Sequence, residues 1–195
     1  MNTLAAIADR RSIRKYKATP VDAETIRRVL TAATQAPSGK NRQPWRFYVV
    51  RGERRAEMVR VMREGIAKRK AQGDNPGSSE WTANVMEQAP VTIFIFNEKQ
   101  ENDKTELSFT DNLWMTVDVQ SIGAAIQNML LAATELGLGS LWICDVFYAY
   151  DGLCQWLGEN HQMVAAVALG YPDEAPGPRP RMSVDEVTTW VGEGA

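Results

Sequence analysis

Histidine and cysteine are scarce in this 195-residue chain, which holds one histidine, His161, and two cysteines, Cys144 and Cys154. One imidazole cannot furnish a multi-histidine metal site or fill two separate histidine roles, and no Cys-x-x-Cys pair supplies thiolate ligands. Metalloenzyme and hydrolytic-triad readings are therefore disfavoured, and His161 reads as a surface turn residue ahead of a strand. Both cysteines fall in stretches that read as buried secondary structure, so the sequence predicts no disulfide framework and a reducing, cytoplasmic location. Nothing approaches the roughly 18 uncharged residues of a membrane span, and no apolar stretch follows a basic leader. With 44% hydrophobic and 24% charged residues, the expectation is a single soluble domain over residues 1–195, large enough to bury its own core.

The net charge of −2 conceals a division along the chain. Residues 1–70 carry 18 Lys+Arg against 6 Asp+Glu, a balance of +12, while residues 71–195 carry 4 against 18, a balance of −14. The basic part lacks the interleaved aromatics that stack nucleic-acid bases, and much of its excess lies on one helical run, Arg51 to Lys70. A nucleic-acid partner is not expected. The division instead predicts complementary surfaces within or between subunits, with a surplus that steers anionic ligands.

Hydrophobic spacing outlines the elements. Asp22 to Gln35 places Ile26, Val29, Leu30 and Ala33 on one helical face. Trp45 to Val50 and Val91 to Phe96 are strand-length apolar runs, and Gln72 to Ser79 is a surface loop by composition. Polar Glu98 to Glu106 is expected to cross solvent. The longest helix spans Phe109 to about Leu136 and is apolar nearly all round in its second half, which predicts burial on most sides or a place in a subunit interface. Leu141 to Ile143 and Met163 to Leu169 read as further strands, flanking a helix at Tyr150 to Leu157. Strands set among long helices define an α+β class.

Three segments carry chemistry. Arg10-Arg11-Ser12-Ile13-Arg14 packs three guanidiniums and a hydroxyl into five positions, a donor set suited to phosphate oxygens. Pro37-Ser38-Gly39-Lys40-Asn41-Arg42-Gln43-Pro44-Trp45 joins a helix to a strand, and its Ser, Asn and Gln offer donors and acceptors for the edge of a heterocycle. Gly170-Tyr171-Pro172 leads into Pro178-Arg179-Pro180-Arg181, a second basic pair. Competing phosphate motifs fail on spacing. Gly137-Leu138-Gly139 has Trp142 where a dinucleotide fingerprint needs glycine, and Ser38-Gly39-Lys40 has Thr34 and Asn41 where a P-loop needs Gly and Ser/Thr.

In this order and at these separations the three segments resemble the nitroreductase family of FMN-dependent oxidoreductases, from about Ile7 to about Trp190. The resemblance implies a central, mostly antiparallel sheet wrapped by helices, in an intertwined homodimer with FMN at the subunit interface. By the same resemblance Arg10, Arg11 and Ser12 meet the FMN phosphate and ribityl chain, and Arg179 and Arg181 close over that phosphate. Arg14 lies at the pyrimidine end of the ring, where a fixed positive charge favours the reduced form and raises the potential; relatives use lysine here. Pro37, Ser38, Gly39, Asn41 and Gln43 reach the flavin from the partner subunit. The stretch ending in Cys144 and Asp145 brings a backbone N–H to the flavin's hydride-accepting nitrogen, with Cys144 an inert thiol; relatives carry Glu-Gly or similar residues at this pair. Trp81, Phe109 and Trp114 are candidates for a substrate-facing wall or for core. The implied activity is ping-pong transfer from NADH or NADPH to a small electrophilic acceptor such as a nitroaromatic or quinone, with no protein nucleophile or general base. A specialised flavin reaction (dehalogenation, dehydrogenation, flavin fragmentation) and FMN binding without turnover stay open.

Overall fold

The computed structural model describes residues 2–102 and 107–192. Four strands, β1 (Trp45–Arg51), β2 (Val91–Glu101), β3 (Gly139–Ile143) and β4 (His161–Gly170), form one antiparallel sheet in the order β1-β2-β4-β3. The two central strands are buried on both faces, which explains why they read as continuous apolar runs. Val91, Ile93 and Ile95 with Ala165, Val167 and Leu169 face helices α2 (Ala23–Thr34) and α5 (Phe109–Glu135). Phe94 and Phe96 with Ala166 and Ala168 face α3 (Arg54–Ala71), α4 (Ser79–Gln88) and α6 (Tyr150–Leu157). Large residues of β2 lie opposite small ones of β4, as in Phe94 opposite Ala166 and Ile95 opposite Ala165. Between Ile95 and Phe96 the register slips, with Ala165 and Met163 as successive partners. The extra residue turns Met163 to the same side as Ala166.

Helix ends follow local side-chain chemistry. Asp22 accepts the backbone N–H of Thr25 at 2.8 Å to start α2, and Ser108 and Asp111 form a capping box at the start of α5. At the far end of α5, Gly137 takes a left-handed φ of 72° while the Leu138 N–H returns to the Ala133 carbonyl at 2.8 Å. Within this one chain, α5 buries Ile122, Ala125, Ile126, Met129, Leu130 and Ala133, while Ala124, Leu131 and Ala132 are only partly covered.

Two local expectations change. The polar stretch after Phe96 does not leave the sheet at once: β2 continues to Glu101, which pairs with His161. Residues 103–106 of that stretch lie outside the described ones. The loop after α3 ends in a helix that the sequence reading left out, α4, which buries Thr82, Ala83, Val85 and Met86. Part of the charge division is settled here, because Arg63 pairs with Glu87 at 2.8 Å and Lys70 with Glu80 at 2.9 Å across α3 and α4.

Residues 10–17, which follow α1 (Thr3–Asp9), line the outer edge of β3 and then the end of β4. The Ile13 N–H donates to the Ser140 carbonyl at 3.0 Å, and Lys17 N–H to the Tyr171 carbonyl at 2.9 Å. Tyr16 is buried and donates its hydroxyl to the Ile13 carbonyl at 2.7 Å, and burial pushes its phenol well above the usual range. The basic segment is thereby a fixed edge.

Candidate functional site

Arg10, Arg11, Ser12 and Arg14 project from that edge into a cleft of about 540 Å³, closed on its other side by residues 176–181 with Arg179 and Arg181. Two sequence segments some 165 residues apart thus converge, and the remaining lining residues, Ile7, Ala8, Pro176, Gly177 and Pro178, include no acid. The guanidiniums are held differently. Arg11 donates to the carbonyls of Ala8 (2.7 Å) and Arg10 (2.9 Å), Arg14 to that of Ser12 (3.1 Å) and Arg181 to that of Pro180 (3.0 Å). Among the described residues, the side chains of Arg10 and Arg179 have no hydrogen-bond or ion-pair partner. Five like charges gathered in a cleft with no acidic lining residue repel one another and suit it to a multiply charged anion.

Next to it lies a second cleft of about 430 Å³ that shares Ser12, Arg14, Pro176 and Arg179 and adds Lys15, Trp81, Asn84, Val85, Gln88 and Glu174. The Arg14 guanidinium lies 5.4 Å from the ring centre of Trp81, which is 49% exposed. Trp81, Asn84 and Gln88 are spaced at i, i+3 and i+7 on α4 and so share one face. Sequence reasoning missed Asn84 and Gln88 because it missed the helix. Glu174, the one acid here, is already engaged: its carboxylate accepts the backbone N–H groups of Arg14 at 2.5 Å and Lys15 at 3.1 Å. It acts as a brace for the basic edge.

Pro37, Ser38, Gly39, Asn41 and Gln43 do not line either cleft. Their loop contains a short 3-10 turn, Gly39–Asn41, and rests on the first half of α5. Asn41 and Gln43 adopt left-handed φ of 53° and 47°, and the Gln43 N–H donates to Ser38 Oγ at 3.0 Å. Trp114 lies beneath this loop, with the Arg42 guanidinium 4.6 Å and the Lys40 ammonium 5.1 Å from its ring centre. Phe109, in the first turn of α5, is 84% exposed.

Cys144 follows β3 and is exposed, contrary to the buried position expected for it; Cys154, on α6, is buried as expected. Partial burial and the neighbouring Asp145 carboxylate raise the Cys144 thiol, which keeps it protonated and poorly nucleophilic. Asp145 accepts hydrogen bonds from Thr82 (2.5 Å) and Ser78 (3.2 Å), tying the end of β3 to the start of α4. His161 is the first residue of β4 and not a turn residue. Its Nδ1 lies 2.5 Å from the carboxylate of buried Glu159, which also accepts from Tyr48 at 2.6 Å. Burial alone would raise that carboxyl, but the hydrogen bonds from Tyr48 and His161 overcome it and hold the pKa at about 2. The pair ties β4 to β1.

Fold and cleft together define a helix-wrapped antiparallel-sheet protein with an arginine-lined cleft. The family model of the nitroreductase family matches residues 7–171. The chain is 31% identical to "Putative NADH dehydrogenase/NAD(P)H nitroreductase" of Methanothermobacter thermautotrophicus, over 96% of this chain and 86% of that protein. It is also 26% identical to the iodotyrosine deiodinase of Thermotoga neapolitana, over 91% of each. Among solved structures, a "putative nitroreductase in complex with fmn" from Desulfovibrio desulfuricans superposes with a TM-score of 0.75 at 29% identity, covering 98% of both chains. This chain belongs to the nitroreductase family.

Proposed function

We propose that this chain, as one domain over residues 1–195, is an FMN-dependent oxidoreductase of the cytoplasm. It passes electrons from NADH or NADPH to nitroaromatic, quinone or similar acceptors by ping-pong turnover, as a homodimer with flavin at the seam. The observation that carries the reading is the convergence of Arg10, Arg11, Ser12, Arg14, Arg179 and Arg181 on one acid-free cleft. That donor set fits a phosphate monoester dianion, because planar guanidinium forks pair with its oxygens and a hydroxyl adds one more donor.

In this reading Arg10, Arg11, Ser12, Arg179 and Arg181 hold the phosphate end. Arg14, anchored on the Ser12 carbonyl and laid against Trp81, sets a positive charge where the ring's pyrimidine end would lie. The backbone at Cys144 and Asp145 faces the redox edge, with Asp145 fixed by α4 and the Cys144 thiol kept protonated. When bound, FMN supplies the two-electron chemistry, and the chain supplies binding, orientation and charge. Pro37, Ser38, Gly39, Asn41 and Gln43 would complete the site from the partner subunit, which agrees with their absence from the clefts of one chain. Exposed Leu4, Ile7, Val187 and Trp190, with the half-covered face of α5, supply apolar surface for such a seam.

The test is the flavin content of the purified protein, followed by anaerobic mixing with NADH or NADPH. A yellow protein that bleaches and then regains colour with a nitroaromatic or quinone supports the reading. A colourless protein that binds no added FMN overturns it, and one that binds FMN but does not bleach is a flavin carrier. Bleaching with reoxidation only by a halogenated aromatic would mark a dehalogenase.

A further inference from the structure

We propose that Arg42 and Asp118 form a positioning clamp that holds the 37–43 loop in the strained shape from which Asn41 and Gln43 reach the flavin. The proposal rests on the flavin reading above. Neither residue lines a cleft, so both act through the loop.

Asp118 is 2% exposed although residues 109–117 of α5 before it are exposed or half-buried, and a carboxylate buried there is costly unless it is matched. Arg42 matches it with two parallel hydrogen bonds, Nε to one oxygen and Nη2 to the other, each 3.0 Å. A bidentate pair of this kind, with the Arg42 side chain 31% exposed and the Asp118 side chain 2%, contributes geometry more than stability. The geometry it fixes is unusual. Lys40, Asn41 and Gln43 have φ of 50°, 53° and 47°, so three of four consecutive positions occupy a region that side chains other than glycine avoid. Glycine stands only at Gly39, where a Cβ would come within 2.4 Å of Val117 and the loop could not settle on α5.

The surroundings over-determine this shape. The Arg42 and Lys40 cations cover Trp114, the Gly39 N–H donates to Ser121 Oγ at 3.3 Å, and Ser38 Oγ accepts the Gln43 N–H. A loop that only ended α2 would relax or use glycine at these positions. Strain kept in place by a bidentate ion pair to a buried carboxylate is the pattern of a ligand-presenting segment, and the strained residues include both amide side chains assigned to the flavin.

Arg42→Lys in the full-length protein is the test, because it keeps the charge and loses the two-pronged grip. The expected result is at least a tenfold rise in the FMN dissociation constant and an altered visible circular dichroism of the bound flavin. Asp118→Asn, which keeps the buried shape and frees Arg42, should do the same. The thermal midpoint of each flavin-free protein is read separately. A lowered midpoint with wild-type FMN affinity and dichroism in both variants would make the pair a stability contact only and overturn the proposal. Asn41→Ala separates the two levels. If it weakens FMN binding while Arg42→Lys does not, the clamp alone falls; if it leaves binding unchanged, the loop's place in the flavin site falls and the clamp with it.

Discussion

Removing Arg10 or Arg179 should weaken FMN binding without weakening the fold. The reasoning starts from the unequal anchoring of the five guanidiniums. Arg11, Arg14 and Arg181 each donate to a backbone carbonyl, so alanine at any of them also strips a carbonyl of its partner. Arg10 and Arg179 have no partner among the described residues, while sharing the cleft with three or more like charges. In the flavin-free protein their loss relieves repulsion and breaks no hydrogen bond, so the thermal midpoint should stay level or rise. In the complex each loses a charge-assisted contact of about 1.5–3 kcal/mol, a roughly 10- to 150-fold rise in dissociation constant. Calorimetric titration with FMN, with riboflavin as the phosphate-free control, reads this directly. Riboflavin affinity should barely change, because the lost contact is to phosphate. Arg11→Ala should lower the flavin-free midpoint as well as affinity. If Arg10→Ala and Arg179→Ala bind FMN as the wild type does, or lose riboflavin and FMN affinity in parallel, the cleft is not a phosphate site.

Arg14→Gln should lower the flavin midpoint potential by roughly 30–65 mV, the two-electron equivalent of about 1.5–3 kcal/mol; an unchanged value in redox titration would separate Arg14 from the ring. Glu159→Gln should cost about 3 kcal/mol at neutral pH, from a carboxyl held at about 2 against an ordinary 4.5. Because the folded pKa is the depressed one, that contribution is complete above about pH 4.5 and fades as pH falls towards 2. Urea unfolding of both proteins from pH 7 to pH 3 should show their stabilities converging, and a constant gap would refute the assignment.

The central strands and α5 are legible in the sequence because each is a long apolar run with clear ends: Val91 to Phe96 lies between Pro90 and Asn97 and is buried on both faces, and α5 opens on Ser108 and closes on Gly137. The helix α4 is not, since a glycine-rich turn precedes it and the exposed Trp81 interrupts the apolar stripe of Thr82, Val85 and Met86. The polar end of β2 is hidden for a related reason: Lys99, Gln100 and Glu101 look like a solvent crossing, and only the pairing of Glu101 with His161, beyond an irregularity after Asn97, carries the strand that far. For the site, Arg10 to Arg14 form a donor set suited to an anion, and only the downstream segments at 37–45 and 170–181 turn that density of charge into a flavin reading. Cys144 carries no local sign of its exposure, which depends on where β3 ends against α4. Arg42 and Asp118 lie 76 positions apart and are each unremarkable in sequence. A bidentate pair of that kind is a tertiary fact.

The chain's departures from ordinary folding rules cluster where a ligand is proposed. Five guanidiniums crowd one cleft, three residues other than glycine adopt left-handed φ in a single loop, and a carboxylate is buried in the first half of α5. The core beneath has central strands apolar on both faces, capped helices and small residues opposite large ones; its own exceptions include the buried Glu159 carboxylate, matched by Tyr48 and His161, and the buried Thr92 hydroxyl, which has no hydrogen-bond partner among the described residues. Stability alone disfavours crowded like charges and left-handed φ in residues other than glycine. Their separation in sequence, at residues 10–14, 40–43, 118 and 179–181, argues against a single local cause. On the proposed reading, a ligand that draws on both the cleft of one protomer and the loop of another would account for all of them at once: its anion would offset the repulsion, and its ring would give the strained loop something to hold.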